Sequence, residues 1–488
     1  MTTPDNLPRR EKFCYGFGDL ASVLYWQTFM VYLTFFYTDV FGLAPLAAGA
    51  MIGLSRSLDA FFDPVMGMVA DRTETRWGKF RPYLLWLCVP FAFAGVLTFT
   101  TPALGNTGKL VWACITYNAL MLLYTAINIP YTAMLGVLSP NPNERTSLSS
   151  FKFVGAFSAG IIISFLLLPM SRVLGGGDAA RGWQLSFVII GVAAVAFFLV
   201  TFFNTRERVR PPAAQKTSVG RDLGDLVTNG PWLVLLATTI TFILFVAVRS
   251  SVTVHYFKYF VGPQMVPTTR FHLFSLDAPV PVFLPFLGHA ETWKFDSLVS
   301  WFNGTGQAAS LLGVVLVPFF ARRAGRKSAF IALLVVAIAS TAAFYFLRPD
   351  QVLLIFAANL LGSVTGGPLS ALLWAMYADT ADYAEWKYGR RATGLVFSAS
   401  IFSQKQGWAI GAWVALGLMA SVGFKANVDQ TRDTLHGLRM LMSLIPAAVG
   451  LVAILIVAFY PLNEARMSKI ETELKTRRAS ETPTPSAA

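Results

Sequence analysis

Arg56, Asp59 and Asp63 stand at i, i+3 and i+7 of an otherwise apolar stretch, RSLDAFFDPVMGMVA. At 3.6 residues per turn the three share one helix face. Two carboxylates and a guanidinium inside an apolar segment are expensive. They persist where they face a bundle interior or a water-filled cavity. Two neighbouring carboxylates in a low dielectric cannot both ionise cheaply, and a nearby cation relieves them. Such a cluster can exchange a proton or a metal cation for an internal salt bridge. The alternative is a static ion-pair network that joins helices. It is the weaker reading, because apolar packing holds helices together as well. Arg56 divides evenly between a structural and a coupling role. Lys405, in SASIFSQKQGW, is a mid-helix lysine, so an aspartate partner is expected for it.

Other polar residues have the spacing of a receptor for hydroxyls. Asp19 precedes Trp26 by almost two turns, so both point the same way. A carboxylate accepts from sugar hydroxyls while an aromatic ring stacks on the C–H face. Tyr124 and Asn128 are one turn apart, and Lys405 and Trp408 lie on adjacent turns. Asn128 can both donate and accept. Arg249, in AVRSSVTVHYF, could meet a carboxylated sugar such as a uronate, or bridge helices. His255 reads as a satisfied helix residue before a proton relay. Asp39, and Asp379, Asp382 and Glu385, stand at helix ends and read as gates. Their natural partners are Arg72, Arg76, Lys79 and Arg81; solvated helix-end charge is the alternative. The four histidines are scattered and no nucleotide-binding glycine loop is present, which excludes ATP-driven chemistry and leaves no catalytic constellation.

These residues need elements to hold them. The 488-residue chain is 55% hydrophobic and only 13% charged, against ~25% charged in soluble domains. That is an integral membrane protein of the all-α class. Apolar runs place helices at about Phe13–Thr38, Leu46–Ala70, Tyr83–Thr101, Leu110–Leu138, Phe151–Leu174 and Trp183–Phe203. Six more follow near Pro231–Phe260, Leu298–Ala321, Ser328–Leu347, Val352–Ala378, Gly394–Ser421 and Leu438–Tyr460. SPNPNERTSLSS is read as a loop. The organisation expected is a six-helix half (1–203), a basic linker (204–230), a second six-helix half (231–462, with an outer loop at 262–297) and a flexible tail (463–488). The basic turns GMVADRTETRWGKFRP and PFFARRAGRKS, in corresponding places, support two halves. The net charge of +13 lies in short loops, which makes it topology signal and not a nucleic-acid stripe. Most Lys and Arg fall inside when both termini are cytoplasmic. Cys14, Cys88 and Cys114 have no metal or disulfide spacing, and no removable signal peptide is read at the N-terminus.

GFGDLASVLYW, FYTDVFGL, RSLDAFFDPVMG, DRTETRWGKFRPYLL, NERTSLSS and ADTADYAEWKYGRRATG together resemble the glycoside–pentoside–hexuronide:cation symporters. This family, of the melibiose permease type, belongs to the major facilitator superfamily. The likeness covers about Lys12 to Pro461 apart from the outer loop. It implies twelve transmembrane helices, alternating access and coupling of a sugar to a cation. By that resemblance Asp19 is the helix 1 carboxylate that binds sugar hydroxyls. Asp59 and Asp63 are the paired carboxylates of the cation site, with Lys405 beside them. Tyr124 and Thr125 lie near sugar and cation, and Lys152 stands close to a family arginine. Asn128 and Phe62 depart from the sodium-using pattern and remove oxygen ligands. A hard cation such as Na⁺ wants several oxygens. The leaning is therefore to H⁺, with Na⁺ at Asp59 and Asp63 as the alternative; no other metal and no cofactor is expected.

The expectation is a secondary active transporter, monomeric, in a bacterial inner membrane, importing a glycoside, pentoside or hexuronide. Two rivals are a lysolipid or amphiphile carrier on the same fold, favoured slightly by Phe62, and a non-transporting sugar sensor.

Overall fold

The computed structural model describes residues 7–139, 142–208, 228–273, 276–281, 289–315, 323, 325–388 and 393–481. Long helices dominate. Helix α1 (Arg9–Val31) continues through a short turn into a π-helical turn that ends at Val40. Then come α2 (Pro45–Arg72), α3 (Arg81–Thr98), α4 (Asn106–Leu138), α5 (Pro142–Gly175) and α6 (Ala179–Asn204). Beyond the connection lie α7 (Gly230–His255), α8 (Phe295–Val315), α9 (Arg326–Ala343), α10 (Val352–Tyr388) and α11 (Thr393–Ser421). The path closes with α12 (Arg432–Met442), α13 (Leu444–Ala458) and α14 (Glu464–Glu481).

Among the described residues, eight helical stretches are long and apolar enough to cross a membrane on composition alone. Helices α1, α2, α8 and α11 have 23, 28, 21 and 29 residues, which is length enough to cross. They carry Asp19, Arg56, Asp59, Asp63, Asn303, Gln307 and Lys405, and so read as less apolar. These four also make the principal contacts across the bundle: α2 packs on α11, α5 on α8, and α1 more sparsely on α7. The α2–α11 approach is close because Gly49 has no side chain; a Cβ there would come 2.9 Å from Leu416 Cβ.

Both chain ends meet one end of the bundle, here termed the terminal end. It is tied by Glu11 to Arg208 at 2.7 Å and by Lys12 to Glu144 at 2.8 Å. The loop before α3 turns at Gly78, whose φ of 116° suits glycine. Glu207 accepts from the backbone N–H groups of Lys79, Phe80 and Arg81, capping α3 with a carboxylate.

Several expectations are corrected. SPNPNERTSLSS is mostly the first turns of α5. Proline suits a helix start, and Glu144 accepts from Leu7 N and Lys12 there. Helix α10 continues through ADTADYAEWKY, so Asp379, Asp382 and Glu385 lie on a helix and not past its end. The outer loop holds a three-stranded antiparallel sheet of order β2-β1-β3, built from β1 (Gln264–Leu273), β2 (Leu276–Pro281) and β3 (His289–Trp293). The tail is helical as α14 and packs on α10. Met467, Ile470 and Leu474 are buried at i, i+3 and i+7. Residues 209–227 of the linker, 318–322 and 324 of the second basic turn, and 482–488 lie outside the described residues.

Candidate functional site

The paired aspartates meet the lysine. Lys405 Nζ, from α11, lies 2.8 Å from Asp59 Oδ2 and 2.6 Å from Asp63 Oδ1, both on α2. Thr125, from α4, donates to Asp59 Oδ1 at 2.7 Å and reaches Asp63 Oδ1 at 3.3 Å. Three helices thus converge on two carboxylates, one ammonium and one hydroxyl. Asp59 is buried and Asp63 nearly so. One lysine faces two carboxylates, so the cluster can take one further positive charge.

Arg56 shares the helix but not the cluster. Its Nε donates to Tyr117 Oη at 3.0 Å, and Nη2 and Nη1 reach the carbonyls of Phe29 at 2.7 Å and Trp408 at 3.4 Å. It therefore ties α1, α4 and α11 through backbone carbonyls and a phenol.

The residues expected to hold sugar form two groups. Asp19 Oδ1 is 3.8 Å from Lys152 Nζ, which also lies near the Tyr131 ring. Trp26 stacks on Tyr124, with ring centroids 5.4 Å apart, and Asn128 Nδ2 reaches Tyr124 Oη at 3.4 Å. The Asn128 carbonyl oxygen is buried without a hydrogen-bond partner. Phe62 is 44% exposed.

A cavity of about 420 Å³ lies between α1, α5, α7, α8, α10 and α11. Trp408 lines it; Asp19, Trp26, Tyr124, Asn128 and Lys152 are not among its walls. Asp19 is set back because it lies eight residues, about 12 Å of helix, from Gln27, which is on the wall. The sequence reading missed the amides Gln27, Asn303, Gln307, Asn359 and Gln404, which give the wall donors and acceptors alongside Arg249 and several Ser and Thr residues. Their signal was the presence of five amides in apolar helices.

The acids expected to gate divide. Asp39 joins helices from either side of the connection. Lys258 Nζ lies 2.7 Å from Oδ1, His255 Nε2 3.1 Å from Oδ2, and Thr38 donates at 2.8 Å; Tyr259 donates as well. Arg172 meets Asp296 at 2.5 Å, joining α5 to α8. Asp379 does not meet the basic loop. It pairs with Arg326, on the neighbouring α9, while Arg81 donates to the Trp77 and Phe202 carbonyls and Arg72 and Arg76 are exposed. Asp382 and Glu385 are half-buried on the same helix. Lys405 with Asp59 and Asp63 at mid-bundle, and Asp39 with Lys258 and Arg172 with Asp296 at the distal end, cross from helices before the connection to those after it.

The comparisons with known proteins bear on the family and the fold. A profile of the MFS/sugar transport protein family matches residues 14–293 and 289–464. The chain is 34% identical to the isoprimeverose transporter of Lactiplantibacillus pentosus, over 97% of this chain and 93% of that protein. It is 33% identical to the inner membrane symporter YicJ of Escherichia coli strain K12, over 95% and 94%. Among solved structures, a mutant of the nucleoside transporter NupG superposes with a TM-score of 0.63 at 15% identity, covering 93% of this chain and all of that one. The family match and the fold define a multi-pass helical transporter of the major facilitator class, not an enzyme. The chain belongs to the MFS/sugar transport protein family.

Proposed function

We propose that this protein imports a glycoside, pentoside or hexuronide by symport with a cation, through alternating access. Asp59 and Asp63 carry the cation. Lys405 occupies their free oxygens in the empty state and yields when the cation arrives. The observation that carries this reading is the two-to-one ratio of carboxylate to lysine, shared among α2, α4 and α11 beside a polar cavity. The similarity to an isoprimeverose transporter and to an inner membrane symporter supports it.

H⁺ is the proposed coupling ion, since a proton needs one carboxylate and Phe62 supplies no oxygen. One observation favours Na⁺ as a second reading: oxygens of Asp59, Asp63 and Thr125 converge on one place. The chain works as two six-helix halves, 1–203 and 231–462, that rock about the site. Asp39 with Lys258 and Asp296 with Arg172 latch the distal end; release of Asp379, Asp382 and Glu385 from their present partners permits closure of the terminal end against Arg72 and Arg76. Asp19, Lys152, Trp26, Tyr124, Asn128 and Trp408 complete the sugar path. The terminal end faces the cytoplasm of a bacterial inner membrane, and the monomer is the working unit.

The test is uptake of labelled glycosides, pentosides and uronates into proteoliposomes, under an imposed pH gradient and separately under a sodium gradient. Accumulation under the pH gradient alone supports H⁺ coupling, and under sodium alone the second reading. No accumulation of any sugar under either would sink the transporter reading. Binding of a detergent-like lipid in place of sugar would then favour the amphiphile carrier.

A further inference from the structure

Arg249 is a cation inside the bundle with no carboxylate opposite it among the described residues. It stands on α7 and lines the cavity. Its Nη2 donates to Asn359 Oδ1 at 2.9 Å. Asn359 in turn donates through Nδ2 to the Phe302 carbonyl at 2.7 Å, which fixes its oxygen toward the guanidinium. The guanidinium lies over the rings of Phe344 and Phe302, with centroids 5.0 and 5.8 Å away. Its Nε is buried with no hydrogen-bond partner. Two rings and one neutral amide hold the group in place and leave its charge whole. A fixed charge at bilayer depth is costly unless something compensates it.

The charges of the mid-bundle point to the same place. Asp19, Asp59 and Asp63 are set against Arg56, Lys152, Lys405 and Arg249. Lys152 and Lys405 have carboxylates within 4 Å, and Arg56 is spent on carbonyls and a phenol. Arg249 alone of these pairs a cavity-facing position with an unused donor. With all of them ionised, these seven described groups carry one excess positive charge. A neutral sugar entering with a cation would raise it to two. An acidic sugar entering with a cation leaves it unchanged, which is the cheaper load for a low-dielectric interior.

We propose that Arg249 is an anion subsite that receives the carboxylate of an acidic sugar, and that it sets the transporter's preference for acidic over neutral glycosides. The guanidinium fork matches a carboxylate in two hydrogen bonds. The amide wall of Gln27, Asn303, Gln307 and Gln404 is left for hydroxyls. This inference rests on the sugar-symport reading and narrows its substrate class.

The experiment compares two probes that differ only at C6, p-nitrophenyl β-D-glucuronide and p-nitrophenyl β-D-glucoside. Uptake of each is measured in proteoliposomes under the coupling gradient, with a panel of neutral pentosides alongside. The wild type is expected to favour the glucuronide in kcat/KM. Arg249→Gln is expected to cut the glucuronide-to-glucoside ratio by roughly tenfold to a hundredfold, and Arg249→Lys to restore part of it. Size-exclusion profile and tryptophan fluorescence check that the variants fold. If Arg249→Gln fails to fold, the lysine variant and wild-type preference at two ionic strengths still decide. A wild type that prefers the glucoside, or a substitution that lowers both sugars equally, overturns the subsite. Accumulation of neutral sugars without any glucuronide overturns the subsite and spares the transporter reading. Accumulation of nothing removes both.

Discussion

Among the carboxylate–cation centres that cross this bundle, two are built on opposite principles. At mid-bundle, Asp59 and Asp63 share one lysine and one hydroxyl. At the distal end, Asp39 alone receives Lys258, His255, Thr38 and Tyr259. The first has more carboxylate than cation and can admit another charge. The second sets four donors against the four lone-pair sites of one carboxylate, so an arriving cation finds no oxygen free. A centre with spare acceptors suits exchange. A saturated one suits a latch, made and broken as a whole. Both link helices that lie far apart in the sequence, so the difference between them is one of stoichiometry, not of reach.

The largest test of that difference is to remove the spare carboxylate. Asp63→Asn leaves Asp59 and Lys405 as a balanced pair with no room for a cation. Accumulation against a gradient is expected to fall to background, while exchange of labelled for unlabelled sugar persists. Asp59→Asn should do the same and cost more in stability, since it also strips Thr125 of its shorter acceptor. Lys405 keeps Asp63 at 2.6 Å, so the extra loss is one hydrogen bond to a charged group, about 1.5–3 kcal/mol, read as a lowered midpoint in thermal unfolding. Wild-type accumulation in both variants would leave the cluster a mere brace.

Asp39→Asn should behave otherwise. The neutral amide keeps one acceptor oxygen but loses the charge that holds Lys258. The distal end then opens more readily and the balance of conformations shifts, by about 1–2 kcal/mol or roughly tenfold in population. The uptake rate is expected to change while the ratio of sugar to cation stays that of the wild type. The measurement is that ratio, from paired labelled-sugar and cation fluxes. Uncoupling of the kind expected for Asp63→Asn would erase the distinction between the two centres.

How much of this could be read from the sequence depends on how costly each residue is where it stands. Charges in apolar helices are loud, so Asp59, Asp63 and Lys405 were legible as a cluster. So was Asp39 as a helix-end acid, although its partners Lys258 and His255 lie more than two hundred residues away. Uncharged amides are quieter, and the wall of Gln27, Asn303, Gln307, Asn359 and Gln404 went unread. Arg56 was legible as a buried cation but not as a ligand of carbonyls, because carbonyl partners leave no mark in the side-chain sequence. The proline-containing 262–297 segment hid a sheet whose register follows from pairing between distant residues. Helix α14 carried a readable apolar stripe at Met467, Ile470 and Leu474, masked by the proline-rich end beyond it. The failed pairing of Asp379 with the basic loop is of another kind. A sequence lists the charges available to both conformations, and a structure holds one of them.

The smallest perturbation sharpens the comparison most, because its sign depends on the ion. Thr125 donates to Asp59 Oδ1 at 2.7 Å and therefore stabilises the ionised carboxylate. Thr125→Val removes that donor with little change of volume. If the cation is H⁺, a carboxylate without its donor takes a proton more readily, so half-maximal uptake moves to lower proton concentration. If the cation is Na⁺, the hydroxyl is lost as an oxygen ligand, so half-maximal uptake moves to higher sodium concentration. One hydrogen bond to a charged group contributes about 1.5–3 kcal/mol, which sets an upper bound of roughly tenfold to a hundredfold on either shift. The measurement is initial uptake rate against proton and against sodium concentration, with sugar saturating. The saturated latch makes the matching control. Thr38→Val at the distal end removes one donor of several from Asp39 and should move neither curve. A shift of equal size there would mean that the three remaining donors do not hold Asp39, and that the two centres answer to the same ion.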